Sequence, residues 1–119
     1  MNPTAELRVG RLADGYVLQV HGRASMRESP AVHSFAREAL AENGNRLVVD
    51  LSRCDSIDST FQGCLLSLAR RFGQAPAGRF QIADPSPESR RLLTAARLLP
   101  LLPLVETAPL PIEIGRAHV

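Results

Sequence analysis

The sequence predicts a single α/β domain whose sheet is mostly parallel, and three observations carry that prediction. Short apolar runs of strand length, Leu47–Leu51 and Arg79–Ala83, alternate with segments of helical apolar spacing. An Asp-Gly turn signal joins two alternating runs near the N-terminus, which predicts a leading antiparallel hairpin. The chain has 119 residues and is 45% hydrophobic, which suits one ordinary core and not two.

The elements follow in order. Leu7–Leu12 and Tyr16–His21 alternate apolar and polar residues around Ala13-Asp14-Gly15 and form the hairpin. Ser29-Pro30 reads as an N-cap followed by proline at the first helical position, where its missing N–H is no loss. Val32, Phe35, Ala36, Ala39 and Leu40 then share one helical face, and Asn43-Gly44 ends the helix. Leu47–Leu51 has the β-branched character of a strand covered on both faces. Ser52 to Asp58 is a loop, and a second helix follows with Phe61, Cys64, Leu65, Leu68, Ala69 and Phe72 on its apolar face. Gly73 closes that helix, and Gln74 to Gly78 form a loop before the strand Arg79–Ala83. Ser86-Pro87 repeats the cap-plus-proline device for a third helix through Leu99, stopped by Pro100. Leu102 to Thr107 supplies a last strand, its start held off the central ladder by Pro103. The expected order is β-β-α-β-α-β-α-β, about five strands and three main helices in a domain over residues 5–108. Residues 109–119 form a Pro-bounded tail that frays or docks through Ile112 and Ile114.

Composition excludes several functions. All 14 basic residues are arginine, so no lysine serves a phosphate loop, a Schiff base or a kinase strand. The net charge is +2, no basic run exceeds two residues, and aromatics are 4%, which argues against direct nucleic-acid binding. The N-terminus lacks a signal-peptide pattern, and Leu98–Val105 is too short and too proline-broken to span a bilayer, so a cytoplasmic chain without membrane insertion is expected. Cys54 and Cys64 make neither a disulfide framework nor a metal pattern and read as reduced thiols; neither metal nor cofactor is expected. The histidines, His21, His33 and His118, show no metal spacing, and His33 reads as a solvated surface residue.

The informative stretch is Asp50 to Gly63. A central strand enters a loop dense in Asp and Ser, and the loop enters a helix. Ser59-Thr60-Phe61-Gln62 has a capping-box sequence in which Ser59 caps the helix and Gln62 reaches back. The Ser59 hydroxyl is thereby expected at a helix N-terminus beyond the carboxyl end of a strand, where open α/β sheets place functional groups. A capped helix with no further role is the alternative, and a small hydrolase with Ser59 as nucleophile and His21 as base is another.

Val48-Val49-Asp50-Leu51, then Ile57-Asp58-Ser59-Thr60 with Gly63 and the Leu65-Leu66-Leu68 helix, resemble the STAS domain of anti-sigma factor antagonists and their relatives. The resemblance runs through element order over about residues 7–107. It implies a regulatory domain and not an enzyme. In such antagonists the serine after the aspartate is phosphorylated by an ATP-using anti-sigma kinase and dephosphorylated by a metal-dependent serine phosphatase, and the unmodified protein captures the kinase. Carried over, the acceptor is Ser59, with Thr60 as alternate. Asp55, Ser56, Asp58, Gln62 and Gly63 form the acceptor loop and helix start. Phe61 stands where the family often has glycine, which implies an altered docking surface. The turn from Gly22 to Glu28, with Ser25, Met26 and Arg27, is expected beside Ser59 as a partner contact. Some relatives lack a working acceptor and act as scaffolds or as accessory subunits of ABC-type lipid-transport complexes, which is the alternative function.

Overall fold

The computed structural model describes residues 5–41, 46–74, 78–109, 111 and 113–116. Seven strands and three α-helices follow one another as β1 (Glu6–Leu12), β2 (Gly15–Ala24), α1 (Ser29–Ala41), β3 (Arg46–Asp50), β4 (Cys54–Ile57), α2 (Ser59–Gln74), β5 (Arg79–Ala83), α3 (Pro87–Ala95), β6 (Leu104–Val105) and β7 (Glu113–Arg116). A 3₁₀ turn at Leu99–Leu101 lies between α3 and β6. The expected mixed α/β domain is present, with two strands beyond those expected, β4 and β7. Asn43-Gly44, part of the loop before β5, Ile112 and His118 lie outside the described residues.

The sheet runs β6-β5-β3-β2-β1-β7, with β4 paired to the far end of β2. β1 pairs with both β2 and β7 antiparallel, and the remaining pairs are parallel. The hairpin turns through Ala13 and Asp14, and Leu12 faces Gly15. Glycine is required at position 15, since a Cβ there would run into the Arg46 carbonyl. Strand alternation sends Leu18, Val20, Leu47, Val49 and Ile82 to one face, where they bury against α1, α2 and α3. Edge-to-face packing of Tyr16 on Phe35 (5.4 Å) and the tilted pair Phe72–Phe80 (5.9 Å) fill that core.

The opposite face carries a smaller cluster, Val17, Val48 and Ala83, against which Leu12, Val105 and Ala108 pack. Val105 and Ala108 belong to β6 and the segment just after it, and β6 and β7 lie on opposite edges of the sheet. Pro111 lies so close to Gly10 that a Cβ there would come within 2.5 Å of it.

The helix boundaries depart from expectation in physically clear ways. Ser29 is the first residue of α1 and not its cap. The Glu28 carbonyl accepts from Val32 N–H (3.0 Å), and the chain enters through a turn in which Glu28 Oε1 accepts from Ser25 N–H (2.9 Å) while Ser25 Oγ accepts from Arg27 N–H (3.2 Å). Only half of a capping box is made: Glu28 reaches back to the Ser25 N–H, while the Glu28 N–H bonds the Ser25 carbonyl (3.1 Å) and closes a turn ahead of the helix. α3 does begin as expected, with Ser86 as cap and Pro87 first. It ends before Pro100: Leu98 N–H bonds Leu93 O (2.9 Å), Arg97 N–H bonds Thr94 O (3.0 Å), and Arg97 takes φ 60°, a left-handed cap on a non-glycine residue.

Candidate functional site

The site is built where β3 gives way to α2. Asp50 Oδ1 accepts from Ser52 N–H (2.9 Å), turning the chain at the end of β3. The turn is fixed on both sides: Gly22 N–H donates to Arg53 O (3.0 Å), and Ser86 N–H donates to Leu51 O (3.1 Å). The stretch expected as a loop then forms β4 beside β2. Gly22 faces Cys54 and Arg23 faces Ser56, so Asp55 is the extra residue of a bulge and is exposed. Ser56 is half-buried, and Ala24 faces Ile57.

Asp58, not Ser59, caps α2. Its Oδ1 accepts from Phe61 N–H (2.8 Å), and its carbonyl accepts from Gln62 N–H (3.0 Å), the first bond of the helix. The Gln62 side chain donates to Ile57 O (3.3 Å) and does not close a box with Ser59. The reason is geometric: the helix starts one residue earlier, so the Gln62 N–H that a Ser59 cap would need is already held by the Asp58 carbonyl, and the Asp58 carboxylate caps the Phe61 amide instead. Ser59 is therefore the first helical residue. It is exposed, as is Thr60, and neither side chain makes a hydrogen bond among the described residues.

The structure brings the Gly22–Glu28 turn against this helix start. Asp58 N–H donates to Ala24 O (3.1 Å), and Asp58 Oδ2 accepts from Met26 N–H (3.0 Å). Met26 is 65% exposed, Arg27 is exposed and Ser25 is half-buried. Phe61 does not join them. It is fully buried in the helix-side core, so its side chain is not a docking surface, as its place on the apolar face of α2 dictates. Gly63 is exposed, and a Cβ there would touch nothing. His21 bonds Gln19 Oε1 (3.3 Å), and no hydrogen bond joins it to Ser59, so the hydrolase pairing is not assembled.

Chemistry elsewhere is quiet. Cys54 and Cys64 are buried free thiols. Burial pushes both up, Cys64 to about 11, which holds them protonated and unreactive at neutral pH. Burial, followed by neighbouring arginines, lowers His21 and His33. His33 is half-buried with an unpartnered Nδ1, and not the solvated residue expected. Among the described residues no group of His, Cys, Asp and Glu could hold a metal ion, and no helix is long and apolar enough to cross a membrane. Two features of the sequence signal this geometry: Glu28 three residues after Ser25, which reaches back to the Ser25 N–H, and an Asp at position 58 that competes with Ser59 to cap.

The fold has known counterparts. An anti-sigma factor antagonist from Mycobacterium paratuberculosis superposes with a TM-score of 0.74 at 23% identity, covering 90% of this chain and 92% of that one. An anti-sigma-factor antagonist (STAS) domain protein from Planctomyces limnophilus gives 0.72 at 20% identity, covering 86% and 91%. The unphosphorylated anti-sigma factor antagonist SpoIIAA gives 0.70 at 19% identity, covering 84% and 88%. The phosphorylated form of the Bacillus cell fate determinant SpoIIAA gives 0.63 at 18% identity, covering 87% and 92%. At these identities the likeness is one of fold. No curated protein matches the sequence. The family model described as "Mlab, STAS domain" matches residues 7–103, most of the chain's length, and the protein therefore belongs to the STAS domain family.

Proposed function

We propose that this protein is a regulatory interaction domain, an anti-sigma factor antagonist whose partner binding is switched by phosphorylation of Ser59. One observation carries the reading: the Ser59 hydroxyl is exposed and uncommitted at the start of α2, because Asp58 has taken over the cap. Thr60 is the alternate acceptor. The partners are an ATPase-type serine kinase that is itself the anti-sigma factor, and a serine phosphatase. The protein acts in the cytoplasm without catalytic chemistry of its own.

A phosphoserine brings roughly −1.5 to −2 charges and three acceptor oxygens. At a helix start the dipole favours that charge by roughly 0.3–1 kcal/mol, so α2 stays folded. Against a partner the same charge, beside exposed Asp55 and Asp58, repels any facing carboxylate and removes a neutral hydroxyl from the interface. Each 1.4 kcal/mol of such cost is about tenfold in affinity. The interface effect outweighs the helix effect.

A second reading is an unphosphorylated scaffold or accessory subunit of a lipid-transport complex, a role that the STAS resemblance also implies for relatives without a working acceptor. A pull-down from cells that encode the protein, followed by phosphosite mass spectrometry, separates the two. The switch predicts phosphate on Ser59 and kinase bound to the unmodified form. Phosphate that persists in Ser59→Ala moves the acceptor to Thr60. Transporter subunits without phosphate at either position would establish the second reading.

A further inference from the structure

We propose that Asp58 is a positioning residue that latches the Ser25–Glu28 turn to the start of α2, so that a charge on Ser59 is read out at Met26. The inference rests on the reading of Ser59 as the acceptor and specifies how that site is regulated.

The Asp58 carboxylate is divided between two elements. One oxygen holds Phe61 N–H (2.8 Å) at the start of α2, and the other holds Met26 N–H (3.0 Å), 32 residues earlier in the chain. The turn is otherwise tied to itself, to α1 through the Ser25 and Glu28 carbonyls, and at its root through Ala24 O, which accepts from Asp58 N–H (3.1 Å). Ser25 N–H (2.9 Å) and Ser25 Oγ (3.1 Å) both donate to Glu28 Oε1, and Arg27 N–H donates to Ser25 Oγ (3.2 Å). Between Met26 and the first turn of α2, the Asp58 carboxylate supplies the only hydrogen bond among the described residues. Among the described residues Met26 is one of two large exposed hydrophobic residues, the other being Leu101. The turn that carries this apolar side chain is therefore held at the helix start by a carboxylate adjacent to the acceptor in sequence.

Phosphorylation acts on that carboxylate directly. Ser59 Oγ bonds to the γ-phosphorus of a nucleoside triphosphate, the bond to the diphosphate leaving group breaks, and the hydroxyl proton is released to solvent. The new phosphate sits at the first helical position, one residue from Asp58, with roughly twice its charge. Its charge lies at the same helix start as the Phe61 N–H that Asp58 holds, and helix starts favour the stronger anion. Like charge and competition for one donor both displace the carboxylate. Because the same group holds Met26, the turn is released as the anchor at Phe61 is lost. A partner that reads the turn and the helix start together then loses one of its two contact elements.

The measurement is amide hydrogen exchange at Met26, read by NMR on the full chain. In the unmodified protein the Met26 amide is expected to be protected despite the exposure of the residue, because Asp58 Oδ2 holds it. Asp58→Asn keeps a good capping residue but offers one carbonyl oxygen for two donors. It is expected to speed Met26 exchange by about tenfold or more, equivalent to roughly 1.4 kcal/mol, while Leu65 and Leu68 amides in α2 keep their protection. Ser59 phosphorylated by its kinase, or Ser59→Asp, is expected to do the same, and Ser59→Ala is not. Unchanged Met26 protection in Asp58→Asn, or in the Ser59-charged protein, overturns the latch. The two readings fail separately. Met26 release in Ser59→Asp with no phosphate ever found on Ser59 sinks the switch and keeps the latch. Partner release on phosphorylation with Met26 still protected does the reverse.

Discussion

The starts of α2 and α3 face the same structural problem and answer it differently. At α3 the cap is Ser86, whose hydroxyl accepts from Ser89 N–H (3.1 Å) and donates to Cys54 O (2.6 Å); the fully buried Ser89 hydroxyl lies 3.3 Å from the same carbonyl. Every hydroxyl there is consumed in holding β4 to α3. At α2 the cap is a carboxylate, and the two hydroxyls that follow, Ser59 and Thr60, stand in solvent without a side-chain bond among the described residues. Both sites are serine-rich helix starts in the sequence. One is structural because its oxygens are satisfied, and the other is available for chemistry because a neighbouring aspartate has done the structural task.

That contrast can be broken or sharpened by substitution. Phe61→Ala carries the largest expected effect, a loss of about 3–5 kcal/mol in denaturant unfolding, because the side chain is fully buried. A cost under ~1 kcal/mol with weakened partner binding would instead return Phe61 to the docking surface. Ser86→Ala is expected to cost about 1–2 kcal/mol through the lost cap and the lost hydrogen bond to the Cys54 carbonyl, which keeps only the longer bond from Ser89. Ser59→Ala should change stability by less than ~0.5 kcal/mol while abolishing modification. Equal costs for the two serines would erase the distinction drawn here.

Gly63→Ala tests whether the exposed face of α2 meets a partner. Nothing lies within reach of a Cβ at this position, so alanine should stabilise the helix by about 0.5–1 kcal/mol. Tighter folding with weaker partner capture would mean that the partner's surface packs against the bare backbone at Gly63.

The smallest effect is pH-dependent and lies away from both helix starts. Burial lowers His21 and His33 below the ordinary 6.5, with arginines adding to the shift: Arg8 and Arg53 for His21, Arg71 and Arg37 for His33. For a histidine lowered by folding, the unfolded chain binds more protons, so the contribution is fully present above the unfolded value and is lost as pH falls through the folded one. Thermal stability should therefore decline on acidification from neutral pH toward 5. His33→Gln should flatten that slope, and an unchanged slope would clear His33 of the effect.

Much of this architecture is legible in residue order. The apolar spacings of Val32 to Leu40 and Phe61 to Phe72 marked α1 and α2, and Ser86-Pro87 marked the start of α3, because helix periodicity and capping are local. The same spacing already placed Phe61 inward, against its reading as a surface substitution for glycine. β4 was not legible. Cys-Asp-Ser-Ile has no strand pattern of its own and becomes a strand because β2 extends past β3 and offers Gly22–Ala24 as a partner. β7 likewise takes its conformation from the edge of β1.

The sequence alone determined that a serine-rich segment would carry a strand into a helix, since apolar period, turn residues and chain reach are properties of neighbours along the chain. The tertiary structure alone decided which residue caps that helix and which is left exposed. Asp58 and Ser59 are both good caps by type. Residue order offers both as candidates; what it does not show is the backbone N–H at Met26, 32 residues away, that gives the aspartate's second oxygen a donor.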